Sequence, residues 1–181
     1  MVTTASPRHD TARHTRETDR LYLTCTLAGS RYLLPAGAVR EVEEITATTP
    51  VPSTPPWVRG VMNLRGTIIA VVDLAHFLGL TDAPGNDSEA LICTPGGTGR
   101  ESDDDLLLAL AVEAVSTIRT LADDAILPLP VGGDERTMRY LSGFYRAPTH
   151  DDETPELLGV LDLHALLNAL RIEQGQGGAS R

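Results

Sequence analysis

The clearest periodicity along the chain lies between Val58 and Leu80, VRGVMNLRGTIIAVVDLAHFLGL. It predicts a strand, a tight turn at Asn63-Leu64-Arg65-Gly66, a second strand over 67–72, and a short helix. Thr67 to Val72 is β-branched apart from Ala70, with no polar residue after Thr67, which predicts a strand buried on both faces. Asp73 fits an N-cap, Leu74, Phe77 and Leu78 form one apolar helix face, and Gly79 stands where the helix ends. Upstream, Leu21, Leu23, Cys25 and Leu27 alternate with Tyr22, Thr24 and Thr26, the period of a half-buried strand. Gly29-Ser30 turns that strand into a hairpin with 31–35. Residues 39–46, VREVEEIT, read as a strand with an exposed acidic face. Residues 49–57, TPVPSTPPW, carry four prolines and predict a stiff connection that delivers Trp57 to the core.

The second half predicts strands over 89–94, over 106–115 with a continuation past a bend to 121, over 140–146 and over 157–161. Asp162 then caps a helix whose face is Leu163, Leu166, Leu167 and Leu170. This half echoes the first. TIIAVVDLAHFLG (67–79) matches ELLGVLDLHALLN (156–168), WVRGV (57–61) matches YLSGF (140–144), and LLPAGAVREV (33–42) matches LALAVEAVST (108–117) loosely. The copies keep their order, which predicts two similar units of about five strands, each small enough to curl into a barrel, with a groove between them. Tails at 1–19 and 173–181 and an acidic loop at 95–105 flank or interrupt the ordered chain, a single domain at 20–172 of two intertwined lobes placed at about 20–80 and 89–172.

Composition narrows the function. The 181 residues are 41% hydrophobic but only 4% aromatic, so aliphatic side chains must build the core. The net charge of −10 argues against nucleic acid and against a polybasic membrane contact. Residues 1–80 hold eight arginines and seven acids, a balance of +1; residues 81–181 hold seven and eighteen, a balance of −11. All fifteen basic residues are arginine, which excludes a Schiff-base lysine and a P-loop lysine. Cys25 and Cys93 lie in apolar segments and read as buried, reduced thiols. No signal-peptide core or membrane-length apolar run is present in the sequence.

Catalytic chemistry finds no frame. G-x-S-x-G is absent, and His76, His150 and His164 stand singly, with His76 and His164 on the solvent side of their helices. Asp73 and Asp162 occupy equivalent repeat positions, but capping accounts for both. The residues favour a binding module without metal or cofactor. A small-molecule-binding or hydrolytic β-barrel using the groove is the alternative of a different class.

The run VREVEEI followed by TPVPSTPPWVRGVMNLRGTIIAVVDLAHFLGL resembles the CheW family of chemotaxis coupling proteins, over roughly residues 20–172. Two positions depart from the family pattern: its usual proline is Ala70 and its usual arginine after Asp-Leu is Ala75. The resemblance implies an all-β fold of two five-stranded SH3-like barrels with short helices around a shared hydrophobic core, and no enzymatic activity. It implies a cytoplasmic adaptor, monomeric in isolation and recruited to membrane-associated receptor arrays. Its partners would be a methyl-accepting chemoreceptor tip and the regulatory domain of a CheA-type histidine kinase. By position, Arg65, Gly60, Gly66, Asn63 and Val39 are the expected receptor-binding residues, and Glu41 and Val42 the kinase-binding ones. A diverged scaffold of a non-chemotactic system, or a fragment of a kinase regulatory region, are the readings within the same fold.

Overall fold

A computed structural model describes residues 19–81, 89–94, 107–130, 132, 135–148 and 155–176. The acidic loop expected at 95–105 and most of the tail at 1–19 lie outside these residues. Eleven strands and three α-helices follow one another along the described chain. The first half contributes β1 (Asp19–Leu27), β2 (Ser30–Pro35), β3 (Val39–Glu44), β4 (Val58–Leu64), β5 (Thr67–Asp73) and α1 (Leu74–Leu78). The second contributes β6 (Glu89–Cys93), β7 (Leu108–Val112), β8 (Ala114–Ala122), β9 (Ile126–Leu127), α2 (Glu135–Met138), β10 (Leu141–Ala147), β11 (Glu156–Leu161) and α3 (Leu163–Gln176).

Two sheets result, one in the order β8-β1-β2-β11-β10-β9 and one in the order β3-β6-β7-β5-β4. The sheets cut across the division of the chain at 80–89. Strands β1 and β2 join the sheet of the second half, and β6 and β7 join that of the first. The repeat explains the exchange. Replacing β3, β6, β7, β5 and β4 by their counterparts β8, β1, β2, β11 and β10 turns one order into the other, apart from the added two-residue β9. The single parallel pair within each sheet, β5 with β7 and β11 with β2, also corresponds. The strand expected to run from 106 past a bend to 121 breaks at Glu113, and β8 crosses to the other sheet there.

Strand alternation sorts the apolar side chains into three clusters. Met62, Leu64, Ile69, Val71 and Ile92 fill the five-stranded lobe, and Tyr22, Leu33, Leu121, Leu158 and Val160 fill the six-stranded one. The largest cluster lies between them, where Leu23, Leu27, Leu91, Leu110 and Leu161 of both sheets meet α1 and the Leu163, Leu166, Leu167 and Leu170 face of α3. Phe77 sits at its centre, 5.2 Å from the Trp57 ring and 5.1 Å from Tyr140, the two residues that open the paired repeat segments. Cys25 and Cys93 are fully buried there, and burial pushes both thiols up to about 12.

Both helices begin as expected. Asp73 Oδ1 accepts the His76 N–H at 2.9 Å, and Asp162 Oδ1 accepts that of Ala165 at 3.0 Å. Gly79 ends α1 with a left-handed φ of 76°. Three details depart from the sequence reading. Helix α3 runs on to Gln176, into the expected tail. Helix α2 forms where no element was expected, and it clasps α1: Arg136 Nε and Thr137 Oγ1 donate to the Phe77 and Leu78 carbonyls at 3.1 and 3.0 Å. His76 does not face solvent freely, because its Nδ1 is buried without a hydrogen-bond partner among the described residues.

Candidate functional site

The β4–β5 hairpin turns on Arg65-Gly66, with Leu64 and Thr67 paired across its base. Both turn residues have positive φ, 51° and 94°, the signature of a type I′ turn. The Asn63 side chain fixes the turn by accepting the Gly66 N–H at 2.7 Å. A non-glycine residue in this conformation costs about 1 kcal/mol, so the fold places a long cation where Asn or Gly would sit more easily. Arg65 is exposed, its side chain 71% accessible.

Arg65 does not stand free. Its Nη2 lies 2.7 Å from Glu41 and 2.6 Å from Glu43, both on β3. Strands β3 and β4 are the two edges of the five-stranded sheet, so this ion cluster forms because the sheet curls until its edges meet. The acidic face of β3 is therefore not merely solvated. A bulge between Val39 and Glu41 also changes the face that each residue takes. Glu41 and Glu43 oppose Ile92 and Ala90, on the lobe's inner face, whereas Val39 and Val42 oppose Cys93 and Leu91, on the face turned to the other lobe.

That second face carries the remaining candidates. Val39 packs against the shared core, and Val42 is 43% exposed at the sheet edge. Ile68, Ala70 and Val72 form one stripe along β5: Val72 is buried, Ala70 half-buried and Ile68 63% exposed. Strand β5 is thus buried on both faces only from Val71 onward, contrary to the expectation for 67–72, because Ile68 reaches past the end of the shared core and Ala70 stands at its margin. Asn63 lies directly across from Ile68. Arg65, Asn63, Gly66, Ile68 and Val42 thus share one lobe, with an apolar stripe running from Ile68 down to the shared core.

Gly60 is not part of this surface. It is buried at a φ of 132°, and a Cβ there would stand 2.2 Å from the Thr49 carbonyl oxygen. Thr49 and Val61 exchange two backbone hydrogen bonds of 2.8 and 2.9 Å, so the glycine lets the proline-rich connection close onto β4. Gly143, its repeat counterpart, meets Leu127 O in the same way at 2.4 Å. Sequence reasoning missed Glu43 and Ile68 as site residues. The arginine in the turn and the acids on β3 were visible, but nothing in the sequence states that a sheet will close edge to edge.

Among the described residues no group of three His, Cys, Asp or Glu side chains is placed to hold a metal, and no helix is long and apolar enough to cross a membrane. The folded chain offers paired lobes over a shared core, with an exposed ion cluster at Arg65 and exposed apolar side chains at Ile68 and Val42. The chain belongs to the CheW-like domain family, whose pattern it matches over residues 21–171. It is 30% identical over 119 residues to a chemotaxis protein CheW of Rhizobium meliloti, covering 66% of this chain and 72% of that protein. It is 29% identical over 138 residues to Protein FrzA of Myxococcus xanthus, covering 76% and 79%. Its structure superposes on the scaffolding protein TtCheW of Thermoanaerobacter tengcongensis with a TM-score of 0.65 and 27% identity, over 84% of this chain and 90% of that one. The two lobes are SH3-like subdomains sharing a core, and the chain is a CheW-like scaffold of chemotaxis-type signalling.

Proposed function

We propose that this chain is a non-enzymatic, cytoplasmic adaptor that couples chemoreceptor cytoplasmic tips to the regulatory domain of a CheA-type histidine kinase. Arg65 on its strained turn carries the reading: an exposed guanidinium stands at the tip of a hairpin whose strand β5 carries the exposed Ile68 three residues further on. A receptor tip is a helical hairpin. A helix laid along this hairpin sets apolar residues on Ile68 and a carboxylate or carbonyl on Arg65. Asn63 and Gly66 shape the turn, and Val39 lies on the face turned to the other lobe. Val42 and Glu41, on the edge strand β3, are the proposed kinase contacts. Gly60 serves the receptor leg only through the fold.

The adaptor brings two partners into fixed geometry, so any signal passes through contacts that differ between receptor states. Mixing the full chain with a CheA regulatory domain and a receptor-tip fragment should give a ternary complex. Arg65→Ala should weaken the receptor leg about tenfold while the melting temperature stays within a few degrees of the parent. Normal receptor binding by that variant overturns the assignment of Arg65. A scaffold of a signalling system other than chemotaxis is the second reading, favoured by relatives named otherwise, Protein FrzA and Protein PilI. A complex with a kinase and receptor from such a system, and none with chemotaxis partners, would select it.

A further inference from the structure

We propose that Glu43 is an internal competitor for Arg65: its carboxylate occupies the guanidinium that an acidic side chain of a partner helix would take, and so sets how tightly that partner is held. The inference rests on the reading of Arg65 as the partner-binding residue.

Both ion pairs of Arg65 end on one nitrogen, Nη2, at 2.7 Å from Glu41 and 2.6 Å from Glu43. Nη2 carries two protons and belongs to both forked edges of a guanidinium, the one shared with Nε and the one shared with Nη1. With Glu41 and Glu43 both on Nη2, neither edge offers the parallel pair of N–H groups that holds a carboxylate bidentately. One glutamate has to leave before a partner carboxylate docks that way. Two carboxylates held on one guanidinium also present negative charge to an approaching acidic partner, which repels it. Glu43 is the more readily displaced of the two. Its side chain is 31% accessible against 22% for Glu41, and it lies one residue from the end of β3. An exposed pair of this kind yields to competition, since such pairs contribute only about 0–1 kcal/mol.

The experiment titrates the full-length chain with a helical-hairpin fragment of a chemoreceptor cytoplasmic tip, followed by calorimetry. Glu43→Gln should bind about two- to fivefold more tightly than the parent, and Glu43→Ala should do the same. In the Arg65→Ala background, Glu43→Gln should change nothing, which ties the gain to the guanidinium. Asp124→Asn, an exposed carboxylate beside β8 in the other lobe, should leave affinity unchanged and so separate competition from loss of distant charge. If Glu43→Gln binds the same as the parent or more weakly while Arg65→Ala is impaired, Glu43 holds Arg65 in place and the competitor is overturned. If Arg65→Ala binds normally, the underlying assignment of the site fails instead.

Discussion

Gly60 and Gly66 stand six positions apart in the same hairpin, and the structure gives them opposite reasons to be glycine. Gly66 has φ of 94° with nothing within 4 Å of where a Cβ would stand, so Gly66→Ala carries only the backbone penalty, about 1–2 kcal/mol. Gly60 has φ of 132° and a backbone oxygen 2.2 Å from the Cβ position. Gly60→Ala must therefore push the proline-rich connection at Thr49 off β4, at a cost of about 3 kcal/mol or more. Urea denaturation of the two variants should separate them clearly, while the receptor affinity of correctly folded Gly60→Ala should match the parent. Reduced affinity at full folding would return Gly60 to the contact surface. Residue-level signals of this kind were only half legible. A glycine at 60 marks an unusual backbone position, but whether a ligand or its own chain approaches it is decided by where 45–57 folds back. Ile68 was misplaced for a similar reason: its hydrophobicity marks a buried strand, yet burial ends where the other lobe ends.

The elements were more readable than their limits. Alternation found the β1–β2 hairpin, and the strand–Asp–helix pattern found both β5–α1 and β11–α3, because each rests on local chemistry. Helix α2 was invisible, since four residues carry no period and its role is to clasp α1 across the molecule. The strand break at Glu113 was blurred because both sides of it favour β structure; its carboxylate accepts the Gly29 N–H at 3.0 Å and pins the crossing to the β1–β2 turn. The two helix caps allow a comparison within one protein. Asp73 is fully buried, whereas Asp162 is partly exposed. Asp162→Ala should cost about 1 kcal/mol, the ordinary value of an N-cap, because water can reach the freed Ala165 N–H. Asp73→Ala should cost about 2–3 kcal/mol, because the His76 N–H loses its partner beneath the shared core. Equal losses in denaturant midpoints, at equal slope, would show that burial of the cap is irrelevant here.

At the scale of the molecule, the sequence reveals that two segments are alike and is silent on which strands they trade. Repeat matching compares residues at a fixed offset. Pairing is settled by whether β2 meets β11 and β5 meets β7, contacts spanning more than a hundred residues in the first case. The outcome leaves neither half with a complete sheet of its own. Residues 1–88 keep the β1–β2 and β4–β5 hairpins, but β3 loses β6 as its partner and β5 loses β7. Residues 89–181 keep β6–β7 and β11–β10 with its two-residue neighbour β9, but β8 loses β1 and β11 loses β2. Isolated hairpins are marginal in water, and the apolar cluster between the lobes draws on both halves, so each fragment alone is left with exposed Leu and Val faces. Produced separately, both fragments should lack a cooperative thermal transition, and residues 1–88 should lack the near-ultraviolet signal of Trp57 packed on Phe77. Combined at equal concentration, they should regain both, because the exchanged strands supply each other's missing neighbours and the Phe77 contact to Tyr140 re-forms across the cut, restoring the packed surroundings of Trp57. A lone half that melts cooperatively as a monomer would mean that the sheets can be completed without exchange. In that case the shared core would join two independent lobes, and their placement beside one another would rest on docking alone.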